Sequence, residues 1–435
     1  MRRTIERVSV VLRRSSNGRA EEVGFGRWLS NPKVTAREIL EYGGTALADR
    51  VRGLHVLAIQ DTTELNFEAH RGRVRGLGAA GNGSDRGLFV HPMIAVDADH
   101  SELLGLVGAQ VWTRRRRARP DYKQLPIERK ESYRWLKGGM EAKAVLSQAR
   151  MITIIADRES DIYEEWARLP DARCHLLTRA SRDRALDGGG RLFTIADDWP
   201  VRHTFALPLR ARPGKPARTA RMSLRFDTAT IKRPQLCSDP KAPAEVTLRL
   251  IDVRETKAGR QDPIHWRLLT THDINSVEDA LRIVDWYRQR WHIEQVFRSM
   301  KSHGLDVEVS QLASAKALFN LAAIATLAAV KIMQLVLARD GRVDRPASDL
   351  VPPQHIPLLA ALQAQLEGKT DLQKNLHPTN SLPWLSWIIA RLGGWKGYPS
   401  EKPPGPITMR HGWHRFETLA EGWTLGFGGK DVCMP

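Results

Sequence analysis

An α/β architecture, with a β-rich insertion and a helical C-terminal region, is predicted by three observations. Two apolar runs, "LHVLAIQD" (54–61) and "MITIIAD" (151–157), read as buried strands, and both stop at an aspartate. Residues 174 to 272 change to short alternating runs such as "HLLTRA", "HTFALPLRA", "ARMSLRF" and "EVTLRLIDV", separated by turn-rich basic segments, which is an antiparallel β pattern. After these runs the chain turns helical, with an alanine-rich apolar tract at 317–338.

Along the chain, residues 24–50 read as short helices, with a cap at Asn31-Pro32 and a stop at Gly43-Gly44. "LFVHPMIAVDA" and "LLGLVGAQVWT" are two further strands, and the polar "DADHSE" between them has the size of a hairpin connection. A basic loop, "RRRRARPDYKQLPIERK", follows, then helices at "KESYRWLKGG" and "DIYEEWARL" around the second buried strand. Ser276 is an N-cap, with Glu278 and Asp279 in the first turn of a helix. The segmentation is 1–50 (a short helical region), 51–173 (first part of the core), 174–272 (insertion), 273–340 (core helices) and 341–435 (C-terminal helices).

The 435 residues carry a formal charge of +18, and an excess of that size points to a polyanionic partner, most often nucleic acid. Cys174, Cys237 and Cys433 have no metal-ligand spacing, which fits a reducing cytosol and argues against a disulfide framework or a zinc finger. The N-terminus is basic but has no long apolar run, so a secretory signal is not expected. Asn320, Lys331 and Gln334 interrupt the 317–338 tract, which marks it as a buried helix rather than a membrane span.

One stretch stands out. "DWYRQRWHIEQVFRSMK" (285–301) sets a single glutamate among several cations. At about 100° per residue, Tyr287, Arg290, Glu294, Arg298 and Lys301 share an arc of roughly 80° if the helix is continuous. A solvated salt-bridge face is the plainest explanation. The two strand-ending aspartates offer another. Functional side chains collect beyond the carboxyl ends of strands in open α/β sheets. Asp61, Asp157 and Glu294 brought together would repel one another, and divalent cations such as Mg²⁺ or Mn²⁺ relieve that penalty. Two such ions suit phosphodiester displacement. His91, on a strand, is expected to be a satisfied core residue. His292 points about 160° away from Glu294 on the same helical wheel, which suits packing or solvent.

The spacing Tyr287-x2-Arg290-x3-Glu294-x6-Lys301 resembles the motif of bacterial cut-and-paste DDE transposases of the IS-four family, and within it those of the Tn-five type. "IQDTTELNF", "ADRESDIY", "HWRLLTT" and the C-terminal "ARLGGW…EGW" follow in family order. The resemblance implies a ribonuclease H-like (RNase H-like) core with Asp61, Asp157 and Glu294 as the metal-binding triad, and two ions per active site. It implies phosphate contacts from Tyr287, Arg290 and Lys301, with Arg298 on the same face, a DNA-contacting Arg179, and a base-stacking Trp266. It further implies a homodimer on double-stranded DNA, formed through the C-terminal helices, in a bacterial cytoplasm at the nucleoid. Members of this family also carry an end-reading helical region ahead of the segment matching "GRWLSNPKV", and "MRRTIERVSVVLRRSSNGRA" does not match it. That departure raises a second expectation, a DNA-binding inhibitor that does not transpose. A third is an RNase H-like nuclease that cuts without joining.

Overall fold

The structure, a computed structural model, describes residues 12, 16 and 18–428, except 46, 71, 73, 115–121, 210–215, 238, 257–262, 303–304 and 399. Most of the basic N-terminal stretch, the arginine run after Arg114, part of "ARPGKPARTAR" and Cys433 lie outside the described residues.

In chain order the principal elements are α1 (Arg19–Ser30), α2 (Ala36–Thr45), β1 (His55–Gln60), β2 (Thr63–Asn66), β3 (Gly78–Ala80), β4 (Asp85–Asp97) and β5 (Leu103–Trp112). Then come α3 (Tyr133–Val145), β6 (Met151–Ala156), α4 (Tyr163–Arg168), β7 (Cys174–Arg179), β8 (His203–Leu209), β9 (Arg218–Lys232), β10 (Glu245–Glu255) and β11 (His265–Thr270). The helices α5 (Val277–Arg288), α6 (Trp291–Lys301), α7 (Ala315–Ala338), α8 (Ile356–Leu366), α9 (Leu382–Leu392) and α10 (Pro406–Gly428) complete the series. The chain is thus a mixed α/β protein. It divides into two compact units: Met1–Leu47 with Thr62–Arg116 and His292–Pro435, and Ala48–Asp61 with Arg117–Trp291.

In the second unit, seven strands lie in the order β1-β6-β7-β11-β10-β9-β8. β1, β6 and β7 are parallel, and every residue of β1 is buried, as befits a strand covered on both faces. Helix α3 lies close to this part of the sheet because residue 139 is glycine. A Cβ there would stand 2.5 Å from a Leu169 methyl and 3.1 Å from the Ile154 Cδ1 of β6. The antiparallel strands β8 to β11 do not form a separate sheet: β11 pairs with β7, Leu268 opposite Arg179. The alternation read in 174–272 therefore belongs to a continuation of the parallel sheet, and β7 itself pairs with β6.

At the amino-terminal side of the parallel strands sits a cluster of histidines. Thr153 Oγ1 is bonded to His55 Nε2 (2.8 Å) and to His272 Nε2 (2.7 Å). His272 stacks on His175, ring centres 4.0 Å apart, and Trp286 of α5 packs edge-on against His55 at 4.7 Å.

The first unit is organised around α7. Its Ser314 Oγ caps the Ala317 N–H, and most of its residues are buried. The polar residues that interrupt this tract bind its neighbours. Asn320 Nδ2 donates to the Leu29 and Val34 carbonyls beside α1 and α2. Gln334 Nε2 donates to Leu104 O of β5, and the Lys331 ammonium stands 4.3 Å over the Trp413 ring of α10. β4 and β5 form the expected hairpin, and His91 is buried with Nδ1 bonded to Thr62 Oγ1 at 2.9 Å, a satisfied core histidine.

Two local readings are corrected. The helix after "SNPK", Ala36–Thr45, is capped by Thr35, not Asn31. Thr35 Oγ1 accepts from Glu38 N, and Glu38 Oε2 accepts from Thr35 N, a reciprocal capping box. And 277–301 is not one helix. Gln289 and Arg290 donate to the carbonyls of Trp286 and Tyr287 in a tighter three-residue pattern, which ends α5 before α6 begins. The shared arc from Tyr287 to Lys301 is therefore broken at Arg290. The Ser276 cap at the start of α5 is as expected, its Oγ accepting from Asp279 N at 3.1 Å.

Burial holds the His272 imidazole down to about 3, with the nearby His175 and His55 adding to the effect. Its pKa in the folded state is below the unfolded value of 6.5, so the stability it contributes is present above pH 6.5 and is lost as pH falls toward 3. Between neutrality and about pH 5 that loss is about 2 kcal/mol. His272→Asn, which cannot titrate, is expected to gain about that much relative to the wild type over the same interval. Paired denaturant unfolding curves at the two pH values measure it. An unchanged difference between the two proteins would refute the burial argument.

Candidate active site

The parallel register of β1 and β6 pairs Ile59 with Ile155. Carried on by two residues, it sets Asp61 beside Asp157 just past the carboxyl ends of the two strands. The buried runs "HVLAIQ" and "MITIIA" fix that register, since a one-residue slip would turn each buried side chain to the other face.

Asp61 is paired with Arg290. The guanidinium Nη1 lies 2.7 Å from Oδ2, and the two side chains are 19% and 15% exposed. The turn that ends α5 is what carries Arg290 off the helix and to this aspartate. Asp157 caps the short helical turn Arg158–Ser160, its Oδ1 accepting from Glu159 N at 2.9 Å.

Tyr287 stands between two arginines. Its hydroxyl is pushed up, chiefly by burial, with the charge of Asp157 acting in the same direction and those of Arg290 and Arg179 opposing it. Arg179 donates from Nη2 to His265 O at 2.7 Å. Its guanidinium is held below the ordinary value, first by burial and then by the like charges of Arg158 and Arg290, against the opposing pull of Tyr287. Trp266 packs edge-on against Tyr287 with ring centres 5.8 Å apart. It lies two residues from Leu268, the partner of Arg179, and so on the same face of the sheet. The second unit therefore brings together Asp61, Asp157, Arg179, Trp266, Tyr287 and Arg290.

Glu294, Arg298 and Lys301 belong to α6 in the first unit. Glu294 and Lys301 are half-buried and Arg298 is exposed. His292, the second residue of that helix, is held down to about 4 by burial alone and fills a packing role.

Among the described residues, no group of three or more His, Cys, Asp or Glu side chains gathers in a metal-holding arrangement. Two adjacent aspartates nevertheless suit a hard cation, because Mg²⁺ is commonly held by one or two carboxylates with water and substrate phosphates supplying the rest.

A buried scaffold supports the turn after Asp157, and sequence reasoning missed it. Asp161, 1% exposed, accepts from Ser181 N (2.7 Å), Arg182 N (2.9 Å) and the Arg184 guanidinium (Nη2, 2.5 Å). Arg184 is itself buried and lies 4.7 Å over the Trp166 ring. The sequence held half of this signal, since Asp161 stands within "ADRESDIY". Its partner lies 23 positions on, beyond any local pattern. Below the same turn, Glu165 is completely buried and pushed up to about 8, mainly by burial, with Ser160 Oγ donating to it.

The sequence model of the transposase DDE domain matches residues 42–330. The chain belongs to this transposase family. Transposases of this family generally carry nuclease and strand-transfer activity and generally use divalent metal ions. Among solved structures, the chain is similar to a piggyBac transposase synaptic complex with hairpin DNA, at 9% identity and a TM-score of 0.36. The match covers 84% of this chain and 57% of that one, so the chain spans little more than half of its length.

Removing one member of a buried ion pair leaves the other charge uncompensated, at a cost of about 3–5 kcal/mol. Arg184→Met is expected to destabilise the transposase by that order, and Asp161→Asn combined with Arg184→Met by clearly less. Thermal unfolding of the two variants tests it. Equal losses would mean that the pair is not what holds the turn.

Proposed function

We propose that this transposase cuts and pastes DNA in the IS-four manner, through a hairpin intermediate, on an RNase H-like core. The reading is carried by one observation: Asp61 and Asp157 stand side by side at the ends of parallel strands, edged by Arg179, Tyr287 and Arg290. Within the family matched, paired carboxylates among phosphate-seeking donors suit phosphodiester chemistry.

In this reading Asp61 and Asp157, with Glu294 as third carboxylate, would hold Mg²⁺ or Mn²⁺, two ions per site, and the metal would supply stabilisation of the negative charge that develops on oxygen during phosphoryl transfer. The chain's own groups do the rest. Arg290 and Tyr287, with Arg179 behind them, hold the phosphate of the bond to be cut, and Lys301 and Arg298 hold neighbouring phosphates. Water opens one strand and leaves a 3′-hydroxyl. That hydroxyl attacks the opposite strand, forming the hairpin and releasing the flanking DNA. A second water opens the hairpin, and the freed 3′-hydroxyl attacks target DNA. Hairpin formation bends the strand sharply, and Trp266 offers a face to the base extruded there. Base–aromatic stacking of that kind is worth about 1–3 kcal/mol. The Trp266–Tyr287 contact supports the assignment, because it holds the indole beside the phosphate-binding groups. Two ends require two sites, hence a homodimer, and α10 exposes Leu419 and Leu425, apolar surface suited to a second copy.

Incubation with a labelled duplex carrying the element's own end, in Mg²⁺ with target plasmid, tests the whole reading. Cleavage, hairpin formation and joining are expected. Cleavage without joining of a pre-cut 3′-hydroxyl end would leave only a nuclease, and DNA binding without cleavage would leave the inhibitor.

Asp61→Asn, Asp157→Asn and Glu294→Gln are each expected to abolish cleavage with DNA binding nearly intact, since an amide is a poor Mg²⁺ ligand of similar shape. Wild-type cutting by Glu294→Gln would remove it from the triad. Mn²⁺ is expected to support cleavage better than Ca²⁺, whose looser coordination disfavours the two-ion geometry. Trp266→Ala is expected to spare the first nick and slow the hairpin steps. Time courses resolving the two steps decide this, and equal loss at both would make Trp266 a packing residue.

A further inference from the structure

We propose that Arg158 and Arg182 form a two-arginine clamp for a DNA backbone beside Asp157. The proposal deepens the transposase reading and rests on it. Arg158 opens the short turn after β6, and Arg182 lies in the turn after β7. β6 and β7 are adjacent and parallel, so both turns emerge at the same end of the sheet as Asp157.

One residue fixes both turns. The Asp161 N–H donates to Arg158 O at 3.3 Å, and the Asp161 carboxylate receives the backbone N–H groups of Ser181 and Arg182. The buried guanidinium of Arg184 neutralises that carboxylate, donating to its Oδ1 and to Asp161 O. The scaffold is thus charge-balanced on its own, and the two arginines it carries are not needed to balance it.

Their side chains point to solvent. Both residues are exposed, and neither guanidinium has a hydrogen bond or an ion pair among the described residues. Neighbouring acids are already occupied: Glu159 with Arg134 at 2.5 Å, and the Asp183 carboxylate with the Phe193 N–H at 2.9 Å. Arg158 also lies close enough to the half-buried Arg179 for the two like charges to be felt. Two exposed cations at the same end of the sheet, with the Asp161 carboxylate between their turns already neutralised by Arg184, are available to an external anion. A chain of +18 acting on DNA has one in the phosphodiester backbone. Arginine suits the contact, since its planar fork matches phosphate oxygens. In this position the clamp would hold the strand leading away from the bond to be cut, and leave Arg290 and Tyr287 to the bond itself.

The test is salt dependence. Full-length wild type, Arg158→Ala, Arg182→Ala and the double variant are titrated against a fluorescent duplex of scrambled sequence over a series of salt concentrations. Each lost phosphate contact is expected to reduce the slope of log K against log salt by about 0.9, and the double variant by about 1.8. Unfolding temperatures are expected to stay at the wild-type value, because neither side chain has a partner to lose. Lysine at both positions is expected to restore most of the slope. Arg52→Ala, at the amino end of the same strands, serves as control and is expected to leave the slope unchanged. A double variant with the wild-type slope would overturn the clamp alone, as would an equal effect from Arg52→Ala. A wild type with no salt-dependent DNA binding would count against the transposase reading itself, and the clamp would fall with it.

Discussion

The parallel pairing of β1 with β6 is the constraint on which the site depends. Two buried strands, far apart in the chain, must align so that both apolar runs are covered. Once they do, the next residues of each strand leave the sheet side by side, and both are aspartates. Arg290 pairs with Asp61 directly, and Tyr287 and Arg179 stand close by. The opposite side of the same strands carries histidines packed around Thr153, among them His272, whose burial opposes a charge.

A second theme is the use of buried polar groups to tie distant segments. In α7, the side chains that break the apolar tract are the ones that bind α1, β5 and α10. In the other unit, Asp161 and Arg184 do the same for the turns after β6 and β7. A half-satisfied group in either place would be expensive. The bonds that Asp161 accepts from Ser181, Arg182 and Arg184 tie down the short turns beside Asp157.

The break between α5 and α6 shows how a local rule can mislead at a functional position. A helical wheel through 287–301 groups Tyr287, Arg290, Glu294, Arg298 and Lys301 on one arc. The chain instead tightens at Gln289 and Arg290. That tightening removes Arg290 from the wheel and delivers it to Asp61, a contact between residues 229 positions apart. The helical wheel therefore does not describe Arg290, whose half-buried guanidinium pairs with Asp61.

By itself, the sequence determined the elements whose signal is local. The buried strands ending in Asp61 and Asp157, the β4–β5 hairpin, the Ser276 cap and the burial of the 317–338 tract were all legible as periodicity, capping or composition. The capping box of Thr35 and Glu38 is equally local, three residues apart, beside an Asn31-Pro32 pair of the same cap-like type. Only tertiary structure decided that the strands of 174–272 continue the parallel sheet, since strand pairing has no local signature. It alone decided that Asp161 would meet Arg184, and that Arg158 and Arg182 would be left without partners. Those outcomes depend on which charges find one another across the fold, and burial, not sequence distance, sets that choice.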